Sequence, residues 1–301
     1  MRKFFRSLWW IVTAPFRFII WIFKRIGDWF KSVFAAISKV FTDEPEDKPI
    51  TETVGMALDS PKEFGYALLE HLNDLRKHLF RAALFMVITT AIMAFFMRDL
   101  LAFITEPVGG IEALQAIEVT ESIGVVMRIA LLGGFALALP YIIFELYLFI
   151  APGLRARSRV IGLITIPVAF LFFTGGMAFA YFVMMPTALP FLLTFMDIPT
   201  AIRPASYIKF VTSLLFWIGI AFQFPLIVFA LAGMGLVRAE DLLKQWRIAI
   251  VVIAVVSAMI TPTIDPINMA LVMGPMIILY FLSIGLAFIA QGRREKAALE
   301  T

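Results

Sequence analysis

The sequence predicts an all-α integral membrane protein: six spanning helices, preceded by an amphipathic helix lying in the membrane interface. Three observations predict it. Six apolar segments follow one another: Leu79–Met97, Ile123–Ile150, Val160–Met185, Tyr207–Ala232, Ile248–Ile260 and Ile267–Ala290. The lysines and arginines between them alternate from one side to the other. Hydrophobic residues make up 61% of the chain and charged residues 16%, where a soluble domain carries about 25% charged. With 31 Phe and a mean hydropathy of +0.92, such a chain would aggregate in water.

Residues 1–41 come first. On a helix at 100° per residue their polar side chains, Arg2, Lys3, Arg6, Arg17, Lys24, Arg25, Asp28, Lys31 and Lys39 among them, fall within an arc of about 140°. The rest of the circumference is mostly Trp, Phe, Ile, Val, Leu and Ala. Eight basic residues against one acid suit a helix on an anionic leaflet, with its aromatic rings at headgroup depth. Pro15 divides it into two pieces, because a mid-helix proline removes a backbone hydrogen bond. Two other readings stay open. A seventh span would bury Arg17 at mid-bilayer, and a targeting peptide would need a small-residue cleavage site that does not follow.

Residues 42–63 hold seven acids, two lysines and three prolines. They cannot bury enough apolar surface to order themselves and read as a flexible acidic linker. The membrane domain then occupies 64–292, and 293–301 form a cytoplasmic tail.

A helix crosses the roughly 30 Å hydrocarbon layer with about 20 apolar residues. Four segments reach that length, the fifth falls short and the sixth is marginal, so the fifth and sixth helices are expected to be short. The fifth offers about 13 residues, or about 20 Å. Prolines at 140, 167, 186, 225 and 275 lie inside or at the ends of spans. Kinked helices build a curved wall, which predicts a cupped, concave bundle.

Charge sets the orientation. With the residues before Leu79 in the cytoplasm, twelve basic residues of the domain and tail lie inside: Arg76, Lys77, Arg81, Arg155, Arg157, Arg159, Arg238, Lys244, Arg247, Arg293, Arg294 and Lys296. Four lie outside: Arg98, Arg128, Arg203 and Lys209. Twelve against four places both termini in the cytoplasm.

Several function classes lose their footing. There is no cysteine, so no disulfide or thiolate chemistry. The two histidines, His71 and His78, both sit at the cytoplasmic boundary, and there is no HExxH. No aspartate pair lies at mid-membrane. An enzyme, a metal, a cofactor and a nucleic-acid partner are therefore not expected. A secondary transporter would show paired halves with broken helices and several buried polar groups. Only Glu145 and Gln223 qualify, and no internal repeat is evident.

Just before the first span the chain reads His71-Leu72-Asn73-Asp74-Leu75-Arg76-Lys77-His78-Leu79. Phe149-Ile150-Ala151-Pro152-Gly153-Leu154 closes the second segment. Gly176 to Val183, with Pro186, follow in the third; Ala205-Ser206-Tyr207 precede the fourth; Phe222-Gln223-Phe224-Pro225 lie within it. Thr261-Pro262-Thr263-Ile264-Asp265-Pro266 separate the last two. In that order these resemble the HLxELRxR, FxxPGL, GxxFxYFxxxP, pre-fourth-helix, FE(L/V)P or FQ(L/V)P, and TPPDP patterns of the TatC family of twin-arginine translocases. The resemblance covers about 66–292; the 1–63 extension has no counterpart in it.

The resemblance implies a TatC-like bundle that serves as receptor and core of a translocase in the cytoplasmic (inner) membrane of a prokaryote. It would capture signal peptides bearing two adjacent arginines and pass folded proteins outward with single-span partners of the TatA/TatB type, driven by the proton gradient. A divergent TatC-like paralogue with altered substrate recognition is the alternative. His71, Leu72, Asp74, Arg76, Glu145, Phe149, Pro152 and Ser158 would form the signal-peptide site, Gln223 would line the concave face, and Pro262, Asp265 and Tyr280 would dock partners.

Carboxylates at the membrane surface suit a guanidinium pair, because charge-assisted bidentate hydrogen bonds are strong there. Asp74 stands at the family's glutamate position, one methylene shorter; it could equally just help hold a helix start. Ser158 stands where the family has a second acid, in a stretch that is otherwise basic. Glu145, where the family often has Gln, either supplies the missing acceptor or is stabilised by a neighbouring helix or by Arg155. Gln223 either faces a wet concavity or makes an ordinary interhelical hydrogen bond. Tyr280 is followed by Phe281, where many members carry Glu.

Overall fold

The computed structural model describes residues 61–151, 156–194, 201–261 and 266–299. The expected surface helix 1–41 and nearly all of the 42–63 linker lie outside them. Among the described residues the secondary structure is helical except for one isolated parallel bridge, Leu114 with Ile202.

Helix α1 runs Pro61–Phe95 and opens on proline, whose fixed φ suits a first helical position. Pro61 to Glu63, within the stretch read as linker, belong to it. After a break at Phe96 comes α2, Met97–Thr105, then two 3₁₀ turns, Glu106–Val108 and Ile111–Ala113. Gly109 and Gly110 between those turns have φ of 95° and 89°, the left-handed region that glycine tolerates. Helix α3, Glu121–Ile150, carries Pro140 inside it.

The third apolar segment is three pieces: α4 (Ala156–Phe179), a π turn (Ala180–Met184) and α5 (Met185–Thr194). Pro186 has no N–H to offer the carbonyl one turn back, and the widened turn lies directly before it. The fourth segment is split as well, into α6 (Pro204–Ala221) and α7 (Phe224–Met234). Pro225 cannot donate to Ala221. The backbone N–H groups of Leu226 and Ile227 both turn to the Gln223 carbonyl, each at 3.0 Å, and the helix restarts there.

The fifth segment is short, as expected. After α8 (Ala239–Lys244), α9 covers Trp246–Ile260, 15 residues, or about 22 Å of rise. The sixth corrects the sequence reading. Helix α10 runs Pro266–Leu299, and Pro266–Gly292 alone gives 27 residues of membrane-crossing character. Pro275 does not end it, and the helix continues past the last apolar residue into the basic stretch. Among the described residues five helical stretches are long and apolar enough to cross a membrane, with α9 as the shorter sixth.

The chain divides into two compact units. The described part of the first is 61–75, 146–151 and 156–162. In it the Tyr147 ring fills the space at Gly162, where a Cβ would meet that ring at 2.3 Å. The second unit is Arg76–Glu145 with Leu163–Thr301. Its core gathers Met97, Ile104, Ile129, Met184, Ile208, Val211 and Ile218. Helices α4 and α6 approach closely where Gly176 faces Gly219, and the buried Phe173 ring packs directly on Gly219. Small residues at such crossings let backbones come together where lipid gives no hydrophobic drive. The Thr89 hydroxyl of α1 donates to the Gly134 carbonyl of α3 at 2.8 Å. Helix α10 packs along α7 and α9.

Candidate functional site

In the first unit, His71 stacks on Phe149 with ring centroids 4.4 Å apart and planes 25° from parallel. Residues from two motifs 78 positions apart in sequence thus meet. Leu72 is exposed, while Asp74 is half-buried and already engaged by a neighbouring group. Pro152 lies outside the described residues. The backbone at Ser158 is in the first turn of α4, so the stretch read as a loop is already helical from Ala156.

In the second unit, Arg76 is exposed near the middle of α1. Glu145 is sealed, its side chain 3% exposed. The Tyr141 hydroxyl donates to Oε1, His78 Nδ1 lies 2.6 Å from Oε2, and Arg81 Nη1 stands 3.9 Å from the same oxygen. A carboxylate this far from water needs such partners. Of the two readings left open for Glu145, the geometry matches stabilisation by a neighbouring helix, with α1 as that helix. His78 stands where the HLxELRxR pattern ends on Arg, and Glu145 where Gln is common. Each departure is visible in the sequence; that they meet is not.

Gln223 sits at the α6–α7 break, buried, and its Nε2 donates to the Ala169 carbonyl of α4 at 2.9 Å. This is an interhelical hydrogen bond. Tyr280 is buried as well: its hydroxyl donates to the Leu242 carbonyl at 2.6 Å, and its ring stacks on Phe224 at 6.3 Å. It ties α8 to α10. Beside it opens an almost wholly apolar groove of about 440 Å³, walled by Ile220, Phe224, Ile248, Val252 and Met276. Pro262 and Asp265 lie outside the described residues. Ser283, two positions beyond Phe281, donates to its own helix at the Tyr280 carbonyl.

A polar cluster that sequence reasoning missed joins Glu118 and Glu121 to Arg203. Only Arg203 figured in the charge tally, as one of the four outer basic residues, and nothing there paired it with the two acids. The two carboxylates push the Arg203 guanidinium still further up, so it stays charged at any working pH. Among the described residues no group of three or more acidic or histidine side chains is placed to hold a metal.

The family model described as "Sec-independent protein translocase protein (TatC)" matches residues 70–275. The chain is 32% identical over 246 residues to the Sec-independent protein translocase protein TatC of Koribacter versatilis (strain Ellin345), covering 78% of this chain and 90% of that protein. It is 32% identical over 238 residues to the TatC of Synechocystis sp. (strain ATCC 27184 / PCC 6803 / Kazusa), covering 78% and 93%. A crystal structure of the twin-arginine translocase receptor TatC superposes with a TM-score of 0.66 at 28% identity, covering 73% of this chain and 99% of that one.

Proposed function

We propose that the chain, which belongs to the TatC family of Sec-independent protein translocases, captures twin-arginine signal peptides where the membrane-crossing part of α1 begins and passes their folded cargo across the membrane under the proton gradient. The stacked His71–Phe149 pair carries this reading. It joins the HLNDLR stretch to the FIAPGL stretch in one unit, which is what a recognition surface made from both would require. Asp74, in the same stretch, is the carboxylate for the guanidinium pair. Because it is already engaged, capture exchanges one partner for another.

The groove beside α9 supports the partner half of the proposal. An apolar wall next to a helix too short to span gives a single-span TatA/TatB-type helix a place to lie. In this reading Tyr280 shapes the groove and does not reach into the partner. The membrane is the cytoplasmic membrane of a prokaryote with both chain ends inside, residues 1–41 being a surface anchor on anionic lipid.

The test is photocrosslinking of a twin-arginine peptide to the full chain in native membranes. Asp74→Ala is expected to weaken crosslinking about tenfold or more, since losing one partner of a desolvated charge pair costs roughly 2–5 kcal/mol and headgroup screening puts this site at the low end. Asp74→Glu keeps it. Ser158→Glu strengthens it by offsetting Arg155, Arg157 and Arg159.

The sealed state of Glu145, together with serine at position 158, favours one second reading: a TatC-like paralogue with altered signal recognition. Crosslinking that survives both Asp74→Ala and replacement of the peptide's two arginines by lysines establishes that reading instead.

A further inference from the structure

The end of the second unit that carries α2 and the 106–120 connection is held to α4–α6 by two kinds of contact. One kind is neutral and at least partly buried. Tyr181 donates to the Phe103 carbonyl at 2.6 Å and stacks on the Phe103 ring at 4.4 Å. Tyr207 donates to the Ile104 carbonyl at 2.6 Å, and Ile104 and Thr105 are buried. These bonds fix the last turn of α2 to the π turn and to α6.

The other kind is ionic and half-open. Arg203, the residue before α6, donates through Nε to Glu121 Oε1 at 3.0 Å, through Nη2 to the same oxygen, and through Nη2 to Glu118 Oε1 at 2.9 Å. The Glu118 side chain is 64% exposed, Arg203 37% and Glu121 3%. Backbone N–H groups of Ala205 and Glu118 also bond to the Glu121 carboxylate, so its buried side is held while the Glu118 side of the contact stands open to water. Beside the cluster, Leu114 pairs with Ile202, and the Gln115 N–H donates to the Ile202 carbonyl at 3.0 Å. Upstream, Gly109 and Gly110 form a two-residue pivot between the α2 anchor and this contact.

A fixed anchor, a glycine pivot and a half-exposed ionic contact in that order along the chain make a flap. We propose that Glu118, Glu121 and Arg203 form a latch that holds residues 111–120 against the start of α6, and that this latch must release for cargo to leave on the outer face. The requirement for export rests on the translocase reading; the latch itself does not.

Two measurements on the full chain in membranes test it. The protein has no cysteine of its own, so a single Leu114→Cys reports the flap through labelling by a membrane-impermeant maleimide. Arg203→Gln in that background is expected to raise the labelling rate about tenfold, the scale on which loss of a partly buried ion pair shifts a local opening equilibrium. Exchanging the charges, Arg203→Glu with Glu118→Arg and Glu121→Gln, brings the rate back towards its starting value. An unchanged rate in Arg203→Gln overturns the latch.

The second measurement locks the flap. Leu114 and Ile202 are bridge partners, and paired backbones about 4.8 Å apart lie within disulfide reach. Leu114→Cys with Ile202→Cys, oxidised, is expected to capture a twin-arginine peptide as the unmodified protein does but to export a folded reporter at under about a tenth of its rate, because a disulfide removes the opened states. Reduction restores export. Undiminished export from the oxidised protein overturns the requirement for release. Absence of peptide capture in the unmodified chain defeats the receptor reading instead, and the labelling experiment then decides the latch alone.

Discussion

The buried Glu145 shows what a single side chain requires once it leaves water. Its carboxylate takes a proton donor from Tyr141 on its own helix and faces His78 and Arg81 from α1. Glu145→Ala takes from the Tyr141 hydroxyl and the His78 ring nitrogen the carboxylate they share. The expected loss is about 2–4 kcal/mol of stability, as for a buried polar network deprived of its centre. Thermal unfolding in detergent measures it. Glu145→Gln keeps an acceptor for Tyr141 and is expected to lose less than half as much. Equal losses in the two variants would mean that the space, not the hydrogen bonds, is what matters. The sequence made His78, Glu145 and Gln223 conspicuous one at a time, because an ionisable or amide group near a span stands out against apolar neighbours. Their partners were not legible: His78 lies 67 positions from Glu145, and Gln223 reaches a backbone carbonyl 54 positions away. A carbonyl has no signature in sequence at all.

Elements were read best where length and hydrophobicity alone decide. The short α9 was expected from its 13 or so apolar residues and is there. The long α10 was underestimated, although its 27 membrane-crossing residues, Pro266–Gly292, end before the first charge at Arg293 and were legible in the sequence. The breaks at the π turn and at Gln223 follow prolines that the sequence displays, but which proline bends a helix and which splits one depends on the neighbours that satisfy the freed carbonyl. The α4–α6 crossing gives a direct test. An alanine Cβ at 219 would lie 2.6 Å from the Phe173 ring, and that ring is fully buried with nowhere to swing. Gly219→Ala is expected to destabilise: overpacking costs about 1–3 kcal/mol, against at most about 1 kcal/mol gained in helix propensity. Gly233→Ala, in α7 with nothing within 4 Å of the new carbon, gains the propensity term without the clash. Thermal stabilities of the two variants should therefore move in opposite directions.

At the scale of the whole molecule, charge arranges the chain about the membrane. The basic arc of residues 1–41 predicts that this segment, as a peptide, binds anionic vesicles as a helix parallel to the surface and is partly released by high salt. Equal binding to neutral vesicles would remove the electrostatic part of that argument. The membrane domain carries the larger claim. Positive charge in short loops opposes translocation, and here twelve basic residues stand against four. A reporter active only outside the cytoplasm is therefore expected to be active when fused after Gly110 or Thr200, and silent after Leu154 or Glu240. The fusion after Glu240 is the more demanding of the silent pair, because it tests the short α9 from one side. If α9 entered and left on the same face, its 15 residues would form a re-entrant helix. The count of crossings would then be odd, and the tail after α10 would emerge outside. A reporter following Leu299 separates the two arrangements: it is silent with six crossings and active with five. Activity after Leu154 would be a deeper failure, since it would put Asp74 and the His71–Phe149 surface on the side from which no signal peptide arrives.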